Sequence, residues 1–186
     1  MIDNKIPLLW QKLNSEPGPD FTIFRVRYDW LKNPRNHREL KRLVLETGDW
    51  VNIVALTPEQ KVVVVRQYRF GVGRISAEIP GGIVDPGEDH QRAARRELQE
   101  ETGFTSQRWR YLGPVEPNPA FLSNICHQWL AEGAVQTHAP ELDEGEDISV
   151  ELLTLDEIKA EIQAGHFRHA LALLALAHVF DLRVEK

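Results

Sequence analysis

This chain of 186 residues has only one cysteine, Cys126. A single thiol excludes an intrachain disulfide, so the fold must rest on its own core, and a reducing compartment, the cytoplasm, is expected. No apolar run reaches the ~18–20 residues of a membrane helix, and the opening MIDNKIPLLWQKLN lacks the apolar stretch of a signal peptide. A membrane is therefore not an expected partner. There is no run of Lys and Arg, and 22 cations against 28 carboxylates leave a formal net charge of -6, which argues against generic nucleic-acid binding. The seven His show no metal-ligand spacing and Cys126 has no evident His or base partner, so zinc and thiol catalysis are not expected. Internal repeats and low-complexity segments are also missing.

What remains is an ordinary globular composition, 42% apolar and 27% charged. A globule of this length buries about 70% of its unfolded surface, enough for a real core. Alternation and β-branched content predict strands over residues 21–29, 43–46, 51–56, 61–66, 75–79, 111–115, 126–131 and 148–153. Thr57-Pro58-Glu59-Gln60 reads as the turn of a hairpin. Helices are expected over 155–162 and 167–180; ALALLALAHVF is apolar around much of its circumference and should be largely buried. Strands and helices alternate loosely, which predicts a mixed-sheet α/β/α sandwich. Residues 1–50 read as a separate small antiparallel β unit, and residues 51–186 as the main domain.

The chemistry is concentrated in GGIVDPGEDHQRAARRELQEETGF, residues 81–104. Asp85-Pro86-Gly87 is turn chemistry, and the acidic Glu88 and Asp89 suit the positive end of a new helix. Ala93, Ala94 and Leu98 form a narrow apolar stripe for close packing on a sheet, and Gly103 is placed as a left-handed cap. Glu97 and Glu101 lie four apart on one face, with Glu100 beside them. Like charges at that spacing cost a helix about 0.2–0.5 kcal/mol per pair. A hard divalent cation with oxygen ligands offsets that repulsion directly. The bland alternative is a solvated acidic face.

Taken together, Gly82, Glu88, Arg96, Glu97, Leu98, Glu100, Glu101, Gly103 and Phe104 resemble a complete Nudix box, the signature of hydrolases that cleave nucleoside diphosphates linked to another group. The resemblance implies Mg²⁺, with Mn²⁺ as the alternative. It implies Glu97 and Glu101 as the main metal ligands, the Gly81 carbonyl and Glu100 assisting, and Glu146 closing the set. For Glu88 it implies a structural role, which an ion pair with Arg96 would explain.

Three further segments resemble ADP-ribose and nucleoside-diphosphate-sugar pyrophosphatases. In Arg66-Gln67-Tyr68-Arg69, Arg69 is suited to the pyrophosphate, since guanidinium binds phosphate oxygens through two parallel hydrogen bonds; a surface ion pair is the alternative. Glu78, before Ile79-Pro80-Gly81-Gly82, matches the group's pattern and reads as a substrate- or metal-positioning residue or as a solvent-facing strand glutamate. Pro119 lies fifteen residues past Phe104, near where the ADP-ribose group carries a proline. That group continues with glycine and then glutamate; Ala120 and Asn124 stand there instead, which leaves the choice of sugar open. In the acidic loop Glu141–Ile148, Glu144 matches the catalytic base and Glu146 a further metal-contacting glutamate. Trp50 offers a stacking surface for a base or an interface core residue.

The expected activity is hydrolysis of a nucleoside diphosphate sugar, ADP-ribose leading, to a nucleoside monophosphate and a sugar phosphate. Resemblance to ADP-sugar pyrophosphatases implies that residues 1–50 pair with a second subunit in a homodimer. The rival readings are a Nudix hydrolase of another nucleotide class and a non-catalytic module that senses nucleotide sugars.

Overall fold

A computed structural model describes residues 6–183. It divides into two compact units. The first takes in the chain up to Gly48 together with Glu116–Asn124, and the second holds Asp49–Val115 and the chain from Ile125 onward.

The first unit is an antiparallel sheet in the order β1 (Gln11–Phe21), β2 (Phe24–Lys32), β3 (Glu39–Glu46). Sequence reading began a strand at residue 21; instead Phe21 pairs with Phe24 across a tight turn, and a further strand precedes it. β1 contains Pro17-Gly18-Pro19, residues that disfavour a strand interior. It survives as an edge strand, where proline forfeits no central ladder bond, and its register shifts between Lys12 and Asn14 and between Pro17 and Asp20. Gly18 is needed there because a Cβ would come within 2.8 Å of Val26 Cγ1 and 2.9 Å of the Tyr28 ring. Asp29 is buried beneath Arg27, Lys12 and Ser15. Burial alone would raise its pKa, but Ser15 and the two cations hold the carboxyl below its usual range. Residues 116–124 join this unit through Leu45, whose N–H donates to Phe121 O at 2.7 Å.

The second unit contains β4 (Trp50–Leu56), β5 (Val62–Arg69), β6 (Arg74–Glu78), α1 (His90–Thr102), β7 (Phe104–Thr105), β8 (Arg108–Val115), β9 (Cys126–Glu132), β10 (Val135–Gln136), β11 (Ile148–Leu153), α2 (Leu155–Ala164) and α3 (Ala170–Ala177). Its main sheet runs β11-β5-β4-β9-β8, with β6 paired to β5. Only β4 and β9 are parallel, so the sheet is mixed as expected. The hairpin at Thr57–Gln60 is shorter than its sequence suggests: Leu56↔Val62 is its one registered pair. Beyond it β4 follows β9, while β5 turns to pair Val65–Arg69 with β6.

Period-two alternation sorts the central strands onto two faces. Val51, Ile53, Ala55, Val63, Trp129 and Ala131 pack with Ala93, Ala94 and Leu98 of α1. Val54, Leu56, Val62, Val64 and Leu130 pack with Ile158 of α2 and Ala172, Ala175 and Leu176 of α3. Helices therefore cover both faces of the sheet, which gives the α/β/α sandwich. The two alanines of α1 let its backbone lie close to the sheet. Asp89 caps its start by accepting from Gln91 N and Arg92 N, and Gly103 ends it in the left-handed region at φ 73°.

The last helix is shorter than the expected 167–180. His169 accepts from Ala172 N and acts as the cap, so regular structure begins at Ala170. Phe167 is buried but lies ahead of the helix, and Leu174 faces outward. Among the described residues no helix is long and apolar enough to cross a membrane.

Candidate active site

The site grows from the junction between β6 and the box helix. Pro80 and Gly82 carbonyls accept from Ile53 N and Val51 N, which threads residues 80–82 alongside β4. At Gly81 a Cβ would collide with Val51 O, and at Gly82 it would collide with the Glu97 carboxylate. The two glycines thus exist for close approach: one seats the turn on β4, and the other admits a buried acid beside the backbone.

Glu97 and Glu101 project from one face of α1, both shielded from solvent. Glu101 is 4% exposed and accepts from Gly81 N at 2.9 Å. Burial pushes its carboxyl up to about 8, with Glu97 and Glu146 adding to the rise and Arg69 opposing it. Glu97 is pushed up to about 7, again chiefly by burial. Arg96 lies beside Glu97 at 2.9 Å but does not neutralise it, because the same guanidinium also holds Glu88 at 3.1 Å and Glu100 at 2.9 Å. One cation divided among three carboxylates leaves the acidic face undercompensated. The Glu88–Arg96 pair is present as the box pattern suggests, and Arg96 also donates to Ile83 O at 3.0 Å.

Arg69, at the end of β5, forks onto Glu78 of β6: Nε donates to Oε1 at 2.9 Å and Nη2 to Oε2 at 2.8 Å. Glu78 is not solvent-facing; it is 2% exposed. Burial alone would raise its pKa, yet the Arg69 fork, His169 and Ser76 keep the carboxyl below its usual range. The pair sits in the field of the box acids, since Glu101 and Glu146 both strengthen the Arg69 charge.

The acidic loop is tied to this site at both ends. Glu141 N donates to Glu100 O at 2.8 Å, and Ile148 pairs with Gln67 on β5. Between these anchors Glu146 is half-buried, and its Oε2 accepts from Asp143 N at 3.1 Å. Glu144 is exposed at the tip. Trp50, at the start of β4, is half-buried, bridges to Ile83 and pairs with Cys126. Pro119 is exposed and belongs to the first unit.

Glu97, Glu101, Glu146 and the Arg69–Glu78 pair are thus gathered within one electrostatic neighbourhood, whereas the side chains of Glu144 and Trp50 make no hydrogen bond or ion pair with it among the described residues. Among the described residues no three acidic, imidazole or thiol side chains converge at metal-binding distance. Glu97 accepts from Arg96, Glu101 from Gly81 N, and Glu146 from Asp143 N of its own loop. Gly81 offers its N–H inward; its carbonyl accepts no hydrogen bond among the described residues. As chemistry, the donor set of hard carboxylate oxygens with buried, undercompensated charge fits a divalent cation.

Sequence reasoning missed His169, whose Nε2 lies 3.5 Å from Glu78 Oε2. Histidine is not a favoured helix cap, so no local signal marked it. It also missed a stack in which His90 lies face to face with His127 at 4.0 Å, flanked by Tyr111 and Trp129.

The raised pKa values carry a consequence for stability. Glu97 and Glu101 bind protons more tightly folded than unfolded, so their contribution is present at low pH and lost as pH rises through about 7 and 8. Glu78, Glu88 and Asp29 are held low, so they matter only near and below the ordinary carboxylate range. Between pH 6.5 and 8 the metal-free protein should lose about 2–6 °C of melting temperature. Millimolar Mg²⁺ should restore more at pH 8 than at 6.5. Thermal scans with EDTA and with Mg²⁺ check this; a flat profile indifferent to Mg²⁺ would contradict it.

The site thus consists of an acidic helix, entered through a glycine turn, on a mixed sheet with helices on both faces. Residues 47–174 match the family model of the NUDIX domain. The chain belongs to the Nudix family, whose hydrolases generally need a divalent metal. It is 30% identical over 158 residues to a methanol dehydrogenase activator of Bacillus methanolicus, covering 84% of this chain and 85% of that protein. It is 31% identical over 145 residues to an ADP-ribose pyrophosphatase of Bacillus subtilis (strain 168), covering 77% and 78%. The crystal structure of an ADP compounds hydrolase superposes with a TM-score of 0.82 at 24% identity, covering 95% of each chain, which establishes the fold.

Proposed function

We propose that the chain is a Mg²⁺-dependent pyrophosphatase that cleaves a nucleoside diphosphate sugar, with ADP-ribose the leading substrate, to a nucleoside monophosphate and a sugar phosphate. The observation that carries this reading is the joining of Glu97 and Glu101 with the Arg69 guanidinium in one electrostatic field. Buried acids and a forked cation suit the two halves of a metal-bound diphosphate. The kinship with an ADP-ribose pyrophosphatase supports the substrate class.

In this reading Glu97, Glu101 and Glu146 hold the cation, assisted by Glu100 and the Gly81 carbonyl. When bound, the cation neutralises the diphosphate and lowers the pKa of the attacking water; Mn²⁺ offers the same hard-acid chemistry. Arg69 grips phosphate oxygens and Glu78 orients it. Glu144 takes the proton from water as the acidic loop closes. Trp50, at the start of β4, bounds the nucleoside. Asn124, which stands where the group carries glutamate, is buried and donates to Gly48 O at 3.3 Å, so it offers no carboxylate to a distal ribose. Discrimination among sugars should therefore be loose, since a site without the matching polar group cannot penalise its absence.

A substrate panel with purified protein tests this. Nucleoside diphosphate sugars should give the highest kcat/KM, well above any nucleoside triphosphate, and in heavy-oxygen water the label should enter the nucleoside monophosphate. Higher kcat/KM for triphosphates or dinucleoside polyphosphates would sink the substrate class, and label in the sugar phosphate would sink the bond assignment.

The chain acts in the cytoplasm, where Cys126, buried and pushed up to about 12 mainly by that burial, stays an inert thiol. It works as a homodimer through the first unit. That unit leaves Trp10, Leu13, Phe21, Ile23 and Leu43 exposed, more apolar surface than a lone small sheet sustains in water. Sedimentation at micromolar concentration should show a dimer; a fully active monomer would contradict it.

A further inference from the structure

His169 belongs to none of the metal or substrate roles above, yet it touches the residue that orients Arg69. It is the N-cap of α3, with φ -68° and ψ 112°, and its Nδ1 accepts from Ala172 N at 3.3 Å. A ring nitrogen that accepts an N–H carries no proton, so the proton of the neutral imidazole sits on Nε2. That nitrogen lies 3.5 Å from Glu78 Oε2. Burial keeps the ring neutral near pH 7 by lowering its pKa; Arg69 acts in the same direction and Glu78 against it.

The same Glu78 carboxylate takes Nε and Nη2 of Arg69, leaving Nη1 with no partner among the described residues. Arg69 is the last residue of β5 and its side chain is 45% exposed, beside the exposed residues 70–73. Without a fixed anchor such a side chain would surrender rotamer freedom at each binding event.

We propose that His169 is a positioning residue for substrate binding: the first turn of α3 fixes the imidazole, the imidazole fixes Glu78, and Glu78 holds Arg69 with its free edge turned to the substrate's diphosphate. This rests on the reading of Arg69 as the diphosphate ligand. The competing role is a helix cap and nothing more. The two are separable because asparagine is among the best N-caps but is too short to maintain the imidazole's approach to Glu78.

The test is His169→Asn, with His169→Ser as a second cap-preserving variant, each assayed with ADP-ribose alongside Arg69→Ala and the His169→Asn/Arg69→Ala double variant. Expected for His169→Asn is a melting temperature within about 2 °C of wild type, KM raised about 3–10-fold and kcat within about twofold, the KM change reflecting about one weakened charge-assisted contact. In the double variant the His169 substitution should add nothing to the effect of Arg69→Ala, because its action passes through that side chain. An additive double variant, or KM unmoved in both His169 variants while Arg69→Ala raises it, overturns the proposal. So does a fall in melting temperature with a proportionate loss of kcat at constant KM, which assigns His169 to the cap alone. If wild type neither turns over nor binds ADP-ribose by calorimetry, the functional reading fails instead.

Discussion

Glu101→Gln and Glu97→Gln should each lower kcat by about three orders of magnitude or more at saturating Mg²⁺, while the fold survives. Glutamine keeps the volume of each side chain, and at position 101 its amide oxygen can still accept from Gly81 N. What it removes is a buried negative charge. In metal-free protein at pH 8 that charge is a burden, because burial pushes the two carboxyls up to about 8 and about 7. The variants should therefore melt no lower than wild type without metal, and should lose the stabilisation that Mg²⁺ gives wild type at that pH. Loss of turnover joined to loss of the Mg²⁺ response distinguishes a metal ligand from a packing residue. Wild-type turnover by either variant at saturating Mg²⁺ would remove that residue from the metal site.

Glu144→Gln should lower kcat by about 10²–10⁴-fold with little change in KM or melting temperature, the span that a single general base contributes. Glu144 stands exposed at the tip of the acidic loop, so its neutral replacement costs the fold nothing. Its reach depends on the loop, which is tethered through Glu141 to α1 and through Ile148 to β5. A tether at each end with an exposed tip between them suits a segment that closes on bound substrate. Glu146→Gln is the informative comparison. Its charge already bears on Glu97, Glu101 and Arg69, so its loss should weaken the response to metal as well as turnover. If Glu146→Gln alone abolishes kcat with metal binding intact, the base is Glu146.

Much of this protein is written locally. The box helix has its stripe of Ala93, Ala94 and Leu98, its polar start at Asp89 and its left-handed stop at Gly103, all interactions within a few residues of chain. Residues 51–56 and 61–66 read as strands, as β4 and β5 are, and the loose alternation of strands and helices predicted the mixed sheet. Local spacing also put Glu97 and Glu101 on one face, and the resemblance to the Nudix box implied the Arg96–Glu88 pair that is present.

Tertiary structure decided what depends on partners distant in sequence. β1 is not among the strands expected from sequence, since its Pro-Gly-Pro breaks local propensity, and only pairing along β2 makes it a strand. Gly82 reads as a turn residue until the Glu97 carboxylate, fifteen positions on, is seen against it. Glu78 and Arg69 became a buried fork only because β5 and β6 pair, and His169 joined them from the far end of the chain. Burial itself, which raises Glu97 and Glu101 and makes a cation worth binding, is a property of the packed sandwich. Helix spacing could align those two acids, but only the sheet behind them could exclude the water that would have screened their charge.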